Sequence, residues 1–197
     1  MVPVRLTGPR LAVREYHHTE GDVDALHALF GDPEVTRHLP FGPSGREACA
    51  DQVELYLEEA MAEERDTYRL AVTRLADAEE PQDATPVGQA SLTLDGHRAA
   101  HLGCVLAREF WGRGYAGEVV GLLCGLAFDV LDLHRLAARV AVANEASVKV
   151  LTGRGFRLEG RLRHDGFKDG VWSDSFLYSL LADEWPGPGA RRPGPDR

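Results

Sequence analysis

A chain of 197 residues is long enough for one domain with a proper core and short for two. Its hydrophobic fraction of 44% and charged fraction of 27% exclude disorder, collagen and a disulfide scaffold, while a net charge of -9 disfavours nucleic acid and favours cationic partners by long-range steering. No run reaches the ~20 apolar residues of a membrane span, and the start "MVPVRLTGPRLAVRE" lacks a signal peptide's apolar centre, so the expected setting is cytoplasmic with no membrane partner.

Along the chain, "RLAVRE" from Arg10 alternates Leu11 and Val13 with charged residues, the two-residue period of a half-buried strand. "GDVDALHALFGDPEVTRHL" reads as one or two short helices broken at Pro33, with Asp22 or Asp24 near the first N-terminus. In "SGREACADQVELYLEEAMAEE", Ser44 and Glu47 form a capping-box pattern, and Val53, Leu57, Ala60 and Met61 share one helical face. The opposite face carries Asp51, Glu54, Glu58 and Glu59, a solvated surface or an attractor for a cationic substrate.

"YRLAVTRL" and "VGQASLTL" read as strands around an exposed loop, and "AAHLGCVLA" as another. A long helix follows, with Ala116, Val119, Val120, Leu123, Leu126, Ala127 and Val130 at threes and fours against a sheet. "RLAARVAVA" is again a strand, "NEASVKVLTGR" a short helix ended by Gly155, and the stretch from Phe156 to Leu181 two strands turning near Asp169 and Gly170. Pro186 to Arg197 is too rich in proline and glycine to pack and is expected to be a disordered tail, leaving residues 1–185 as the domain. Cys49, Cys104 and Cys124 stand far apart and in no CxxC pair, so they are expected to be core residues, with no metal site.

The stretch "FWGRGYAGE" fits GxGxxG through Gly112, Gly114 and Gly117. Strand, glycines, then helix places free N–H groups at a helix N-terminus, where an anion is favoured. A structural turn alone would use the same glycines. The nucleoside triphosphate version fails because Tyr115 and Ala116 follow Gly114 where Lys and Ser or Thr belong. The dinucleotide version needs alternating strands and helices after the motif, whereas here several strands come before it.

Shifted by a frame, "WGRGYA" resembles the coenzyme A motif Q/R-x-x-G-x-G/A of the GNAT superfamily of N-acetyltransferases, with Gly114 and Ala116 in the small positions. Trp111 replaces the usual Gln or Arg. Aromatic-Trp-Gly-x-Gly-Tyr-Ala is similar to the branch of ribosomal-protein alpha-amino acetyltransferases, as are "DPEVTRHLPF", "NEASVKVLTGRGFRLEGRLR" and "DGVWSDSFLYSLLADEW". The resemblance covers about Arg10 to Trp185 and implies an α/β fold, mixed α+β. Its mixed sheet would have about seven strands, the central ones splayed, flanked by about four helices.

The resemblance further implies that acetyl-CoA is co-substrate and an amine, on a protein N-terminus or a small cationic molecule, the acceptor. Cys104, Val105 and Leu106 would offer main-chain groups to the pantetheine arm, and a backbone N–H around Val105 would polarise the thioester carbonyl. Amides from Gly112 through Arg113, Gly114, Tyr115 and Ala116 to Gly117 would hold the pyrophosphate. Asn144 and Ser147 would line the notch between the central strands, or only cap the helix that follows. Many relatives donate a proton from a Tyr seven residues after the Asn; Leu151 stands there, leaving Ser147 as the hydroxyl for that role. An acid that some relatives carry is Arg139 here, so the base is open among Glu159, Asp165, Asp174, His38 and His164.

A missing strong base favours an α-amine, of pKa about 7.7–8.0, over a lysine near 10.4, a gap of roughly 3.4 kcal/mol. Modification of an antibiotic amine, and a non-catalytic acyl-CoA-binding module, stand as alternatives. A homodimer through an edge strand or the final hairpin is compatible with the sequence.

Overall fold

The computed structural model describes residues 3–79 and 83–187, so most of the segment expected to be a tail lies outside the described residues. Strand β1 (Arg5–Thr7) runs beside β2 (Leu11–Glu15). Three residues between prolines are too short for a periodic signal, and β1 is the strand that brings the total to eight instead of about seven.

Helix α1 (Glu20–Phe30) is capped by Thr19, whose side chain accepts from the Asp22 amide. Asp22 lies in the first turn, as expected, and is 3% exposed, both its oxygens taking the Arg14 guanidinium at 2.7 and 2.8 Å. Pro33 opens the single turn α2 (Pro33–Thr36), and α3 (Arg46–Met61) follows.

Two expectations for α3 are corrected. Gly45 is the N-cap, with no side-chain bond, because the Ser44 main chain is tied back to α1 through the Phe30 carbonyl and the His27 ring. Its core face is Cys49, Val53 and Tyr56; Leu57 and Ala60 are only partly covered and Met61 is 76% exposed.

Strands β3 (Thr67–Arg74), β4 (Pro86–Leu94) and β5 (Ala99–Leu106) form an antiparallel meander. Helix α4 (Tyr115–Cys124) then continues into a π-helical turn over Gly125–Val130, in which the Leu131 amide reaches back to the Leu126 carbonyl. The wider turn shifts the apolar stripe. Leu126 and Ala127 stay buried, and Val130, expected in the core, is 64% exposed.

Strand β6 (Arg135–Ala141) is parallel to β5 only over Ala99–His101 against Arg135–Ala137, and beyond that the two diverge. Helix α5 (Glu145–Gly153) leads to β7 (Arg157–Lys168) and β8 (Val171–Leu181), joined through Asp169 (φ 50°) and Gly170 (φ 79°), as Asp-Gly in a tight hairpin predicts. The sheet order is β1-β2-β3-β4-β5-β6-β8-β7.

Among the described residues five helices, against about four expected, cover both faces of the sheet. α4 and α5 lie over a core that includes Leu70, Leu92, Leu123 and Leu136, each at 0% exposure. α1 and α3 pack on the other face around Leu26, Phe30 and Val53. The diverging pair β5 and β6 thereby lies between two helical layers.

Candidate active site

β5 owes its free edge to its register. The Ala107 amide bonds the Val87 carbonyl at 3.0 Å and the Asp95 amide the Ala99 carbonyl at 2.8 Å, so odd-numbered residues of β5 exchange their main-chain bonds with β4. Val105 is one of these, paired with Gln89, and its N–H is turned from the opening. The main-chain groups facing the notch belong to Cys104 and Leu106, the neighbours of Val105 on either side. The Leu106 carbonyl is itself taken by the Trp111 indole N–H at 2.7 Å.

That bond holds the glycine loop against the end of β5. Gly112 (φ 73°) and Gly114 (φ 76°) both lie in the left-handed region, where a side chain is strained, and no atom lies within 4 Å of where a Gly112 Cβ would stand. Gly114 is the N-cap of α4 and supplies no side-chain bond, so the first-turn amides from Tyr115 onward point outward with the helix dipole behind them. A ten-residue helix with this open, uncapped start fits a pyrophosphate.

Two cations not predicted from the sequence border the loop. Arg10 bonds the Arg113 carbonyl at 2.9 Å, lies 4.7 Å from the Tyr115 ring centre and pairs with Glu118 at 2.9 Å. Glu118, 8% exposed in the first turn of α4, also accepts the Arg10 and Leu11 amides at 2.7 and 2.9 Å, fixing β2 to α4. Arg154, after α5, lies along α4 where a Cβ on Gly117 or Gly121 would stand 3.5 or 3.2 Å from its guanidinium. Gly117 therefore leaves room for an arginine. Arg113 turns its own guanidinium toward the Phe110 ring, 5.8 Å away.

Below the loop the splayed strands enclose a cavity of about 100 Å³, lined by Cys104, Ala116, Arg139, Ser147 and Leu151 among others. Asn144 caps α5 by accepting the Ser147 amide at 3.1 Å, which spends its Oδ1 and leaves its amide nitrogen as the group to reach a ligand. The two readings divide the pair: Ser147 lines the notch and is also a cap partner through its main chain, while Asn144 lines neither cavity and is placed as the cap. Cys104 keeps some exposure along the notch, yet desolvation around its thiol pushes the pKa up to about 12.

A second, larger cavity of about 1130 Å³ opens where the α2 segment faces the β7–β8 hairpin. His38 and Pro40 line one side and His164, Asp165 and Trp172 the other, so the segments around Gly31–Gly45 and His164 meet across it. Arg139 lines both cavities. Its guanidinium pairs with Asp165 at 3.4 Å.

The hairpin wall is shaped by a bulge between Leu162 and Gly166, in which His164 takes φ 52°. Asp174 pins it, accepting the His164 amide at 2.9 Å and the Arg161 Nε at 2.7 Å, contacts that hold its carboxyl below the usual range. The His164 ring stacks on Trp172 at 5.8 Å. Lys168 ties the hairpin to α2 through the Thr36 carbonyl at 2.8 Å.

Of the candidate bases, Glu159 lines neither cavity and is held by Arg135 and Ser179 at about 2, ionised and committed. His38 is shifted the other way, below 6.5, by partial burial and then by Arg37 and Lys168. Its protonated form is thereby disfavoured. The acidic face of α3 lines neither cavity. Among the described residues no cluster of His, Cys, Asp and Glu could hold a metal ion, and no helix is long and apolar enough to cross a membrane.

Residues 10–157 match the family model described as acetyltransferase (GNAT) domain. The uncharacterized N-acetyltransferase YoaA of Bacillus subtilis is 31% identical over 182 residues, 92% of this chain and 98% of that protein. Over shorter stretches, 46% and 45% of this chain, the putative ribosomal N-acetyltransferase YdaF of Bacillus subtilis is 38% identical and spermidine N(1)-acetyltransferase of Vibrio cholerae 32%, covering 50% and 51% of those proteins. The structure of Mycobacterium smegmatis RimJ in complex with CoA-disulfide superposes with a TM-score of 0.77 over 92% of this chain and 89% of that one, and at 22% identity this likeness is one of fold.

Proposed function

This chain belongs to the GNAT acetyltransferase family, and within it we propose that it moves an acetyl group from acetyl-CoA to a primary amine, an α-amino group of a protein, peptide or small molecule. Membership makes it an acyltransferase, and the non-catalytic module and the dinucleotide enzyme fall away. One observation carries the fuller reading. A notch with free strand edges and an uncapped helix start opens, across the shared residue Arg139, onto a cavity large enough for an acceptor.

Bound acetyl-CoA supplies an activated carbonyl and a thiolate leaving group. In this reading the loop amides from Gly112 to Gly117 hold the pyrophosphate, with Arg10 adding charge beside them. Main-chain groups of Cys104 and Leu106 take the pantetheine arm, and the notch-facing N–H groups of β5 polarise the carbonyl. The Ser147 hydroxyl gives the departing sulfur its proton. The attacking amine must be neutral, and His38, whose protonation is disfavoured by its surroundings, or water accepts its proton.

Thiol release from acetyl-CoA, measured across N-terminal peptides, polyamines and amine antibiotics with coenzyme affinity determined separately, tests the reading. Release with one class of amine is expected. Absence of both release and coenzyme binding would overturn it.

A further inference from the structure

We infer that the acceptor is a peptide-like α-amine that carries a carboxylate close to the amine, and that Arg37 and Lys168 receive that carboxylate. The inference rests on the reading that the large cavity holds the acceptor, and it deepens that reading by fixing the acceptor's charge.

The cavity wall carries the cations Arg37, Arg139, Arg161 and Lys168 and the anions Asp165, Asp169 and Asp174. Two of the anions are committed inside the wall: Asp165 to Arg139 at 3.4 Å, and Asp174 to Arg161 at 2.7 Å and to the His164 amide at 2.9 Å. Those pairs cancel. What is left is Arg37 on the α2 side and, on the hairpin, Lys168 at the end of β7 with Asp169 beside it at the turn; Lys168 reaches across the cavity to the residue before Arg37. Lys168 spends one donor on the Thr36 carbonyl at 2.8 Å, and an ammonium has others to give. Arg37 meets Glu34 only at 4.0 Å, with both side chains more than half exposed, so its planar fork is open for a carboxylate.

His38 follows Arg37 in the chain and lines the same cavity, and its protonation is disfavoured by partial burial first and then by the charges of Arg37 and Lys168. A polyamine would bring further positive charge into this wall, and like charges brought together at a binding surface act against the wrong partner. The volume of about 1130 Å³ exceeds what one amino acid fills, which favours the end of a peptide over a free amino acid. The whole chain's net charge of -9 is of opposite sign, so it does not set the preference of this cavity.

The experiment compares C-terminally amidated tripeptides that begin Ser-Asp, Ser-Ala and Ser-Lys, with free aspartate and spermidine beside them. Thiol release and acetyl-CoA affinity are both measured. The Ser-Asp peptide is expected to exceed the Ser-Lys peptide in kcat/KM by about tenfold, with spermidine slower still. Arg37→Glu should erase most of that difference at unchanged acetyl-CoA affinity, and Arg37→Lys should restore it; at an exposed position neither change threatens the fold. Turnover of free aspartate above the peptide would confirm the carboxylate and overturn the peptide. Equal rates, a preference for Ser-Lys or spermidine, or a ratio untouched by Arg37→Glu would overturn the inference and leave acetyl transfer standing. Release with none of the amines while acetyl-CoA binds would overturn the proposed function, and this inference with it.

Discussion

Trp111 donates its indole N–H to the main-chain carbonyl of Leu106 across 2.7 Å, joining the glycine loop to the strand end it has just left. A residue at the position where relatives carry Gln or Arg thus acts as a strut. Trp111→Phe keeps most of the ring and removes the bond, which is worth about 1 kcal/mol. Calorimetric titration should show coenzyme A bound about fivefold more weakly, with the thermal midpoint nearly unchanged because the residue is 46% exposed.

Gly114→Val places a β-branched side chain at φ 76°. The left-handed conformation costs roughly 1–2 kcal/mol for an ordinary residue and more for a branched one, and the added carbons crowd the helix start. Coenzyme affinity should fall at least about tenfold. Equal affinity would argue against a phosphate at this helix end.

Ser147 and Asn144 separate chemistry from capping. Ser147→Ala keeps the amide that Asn144 accepts, so stability and coenzyme affinity should hold while kcat drops by about a hundredfold if its hydroxyl is the proton donor. Asn144→Ala removes the cap and should cost about 1 kcal/mol of stability by urea denaturation. If Ser147→Ala turns over like the parent, water protonates the sulfur.

Much of this arrangement was legible locally. The strand, glycine loop and helix follow one another in sequence, and Asp169-Gly170 announces its own turn, so each signal sits within a few residues of the structure it causes. The misreadings came from contacts the chain makes at a distance. Ser44 looked like a cap, and the tie to Phe30 and His27 took it elsewhere. Arg154 could not be matched to Gly117 and Gly121 without knowing that α5 crosses α4, although two glycines one turn apart on an apolar helix were a usable hint. A glutamate in the first turn of an otherwise apolar helix was a similar hint for Glu118. The cations of the larger cavity come from three separate segments, and nothing in their spacing collects them.

Acid stability should carry the signature of Glu159. Its carboxyl is lowered from 4.5 to about 2 by Arg135 first and Ser179 second. A depressed folded-state pKa stabilises fully above the unfolded value and is lost as pH falls from about 4.5 toward 2. Glu159→Gln should flatten the thermal midpoint over that window. The side chain is 36% exposed, so solvent screening limits the cost at pH 7 to about 1 kcal/mol or less. An unchanged slope would place the acid transition at other carboxylates.

Glu118 accepts the amides of Arg10 and Leu11 across 108 and 107 positions of sequence. Contacts so distant along the chain pay their loop-closure entropy before they return anything, so they form late. A growing chain that has emerged only as far as β5 already holds most of the sheet and none of the phosphate loop. Competence for the proposed donor is then expected near the end of folding, when the first strands meet a helix from the second half, and a chain shortened past Arg10 at its start should keep its glycines yet lose the posture that makes them useful.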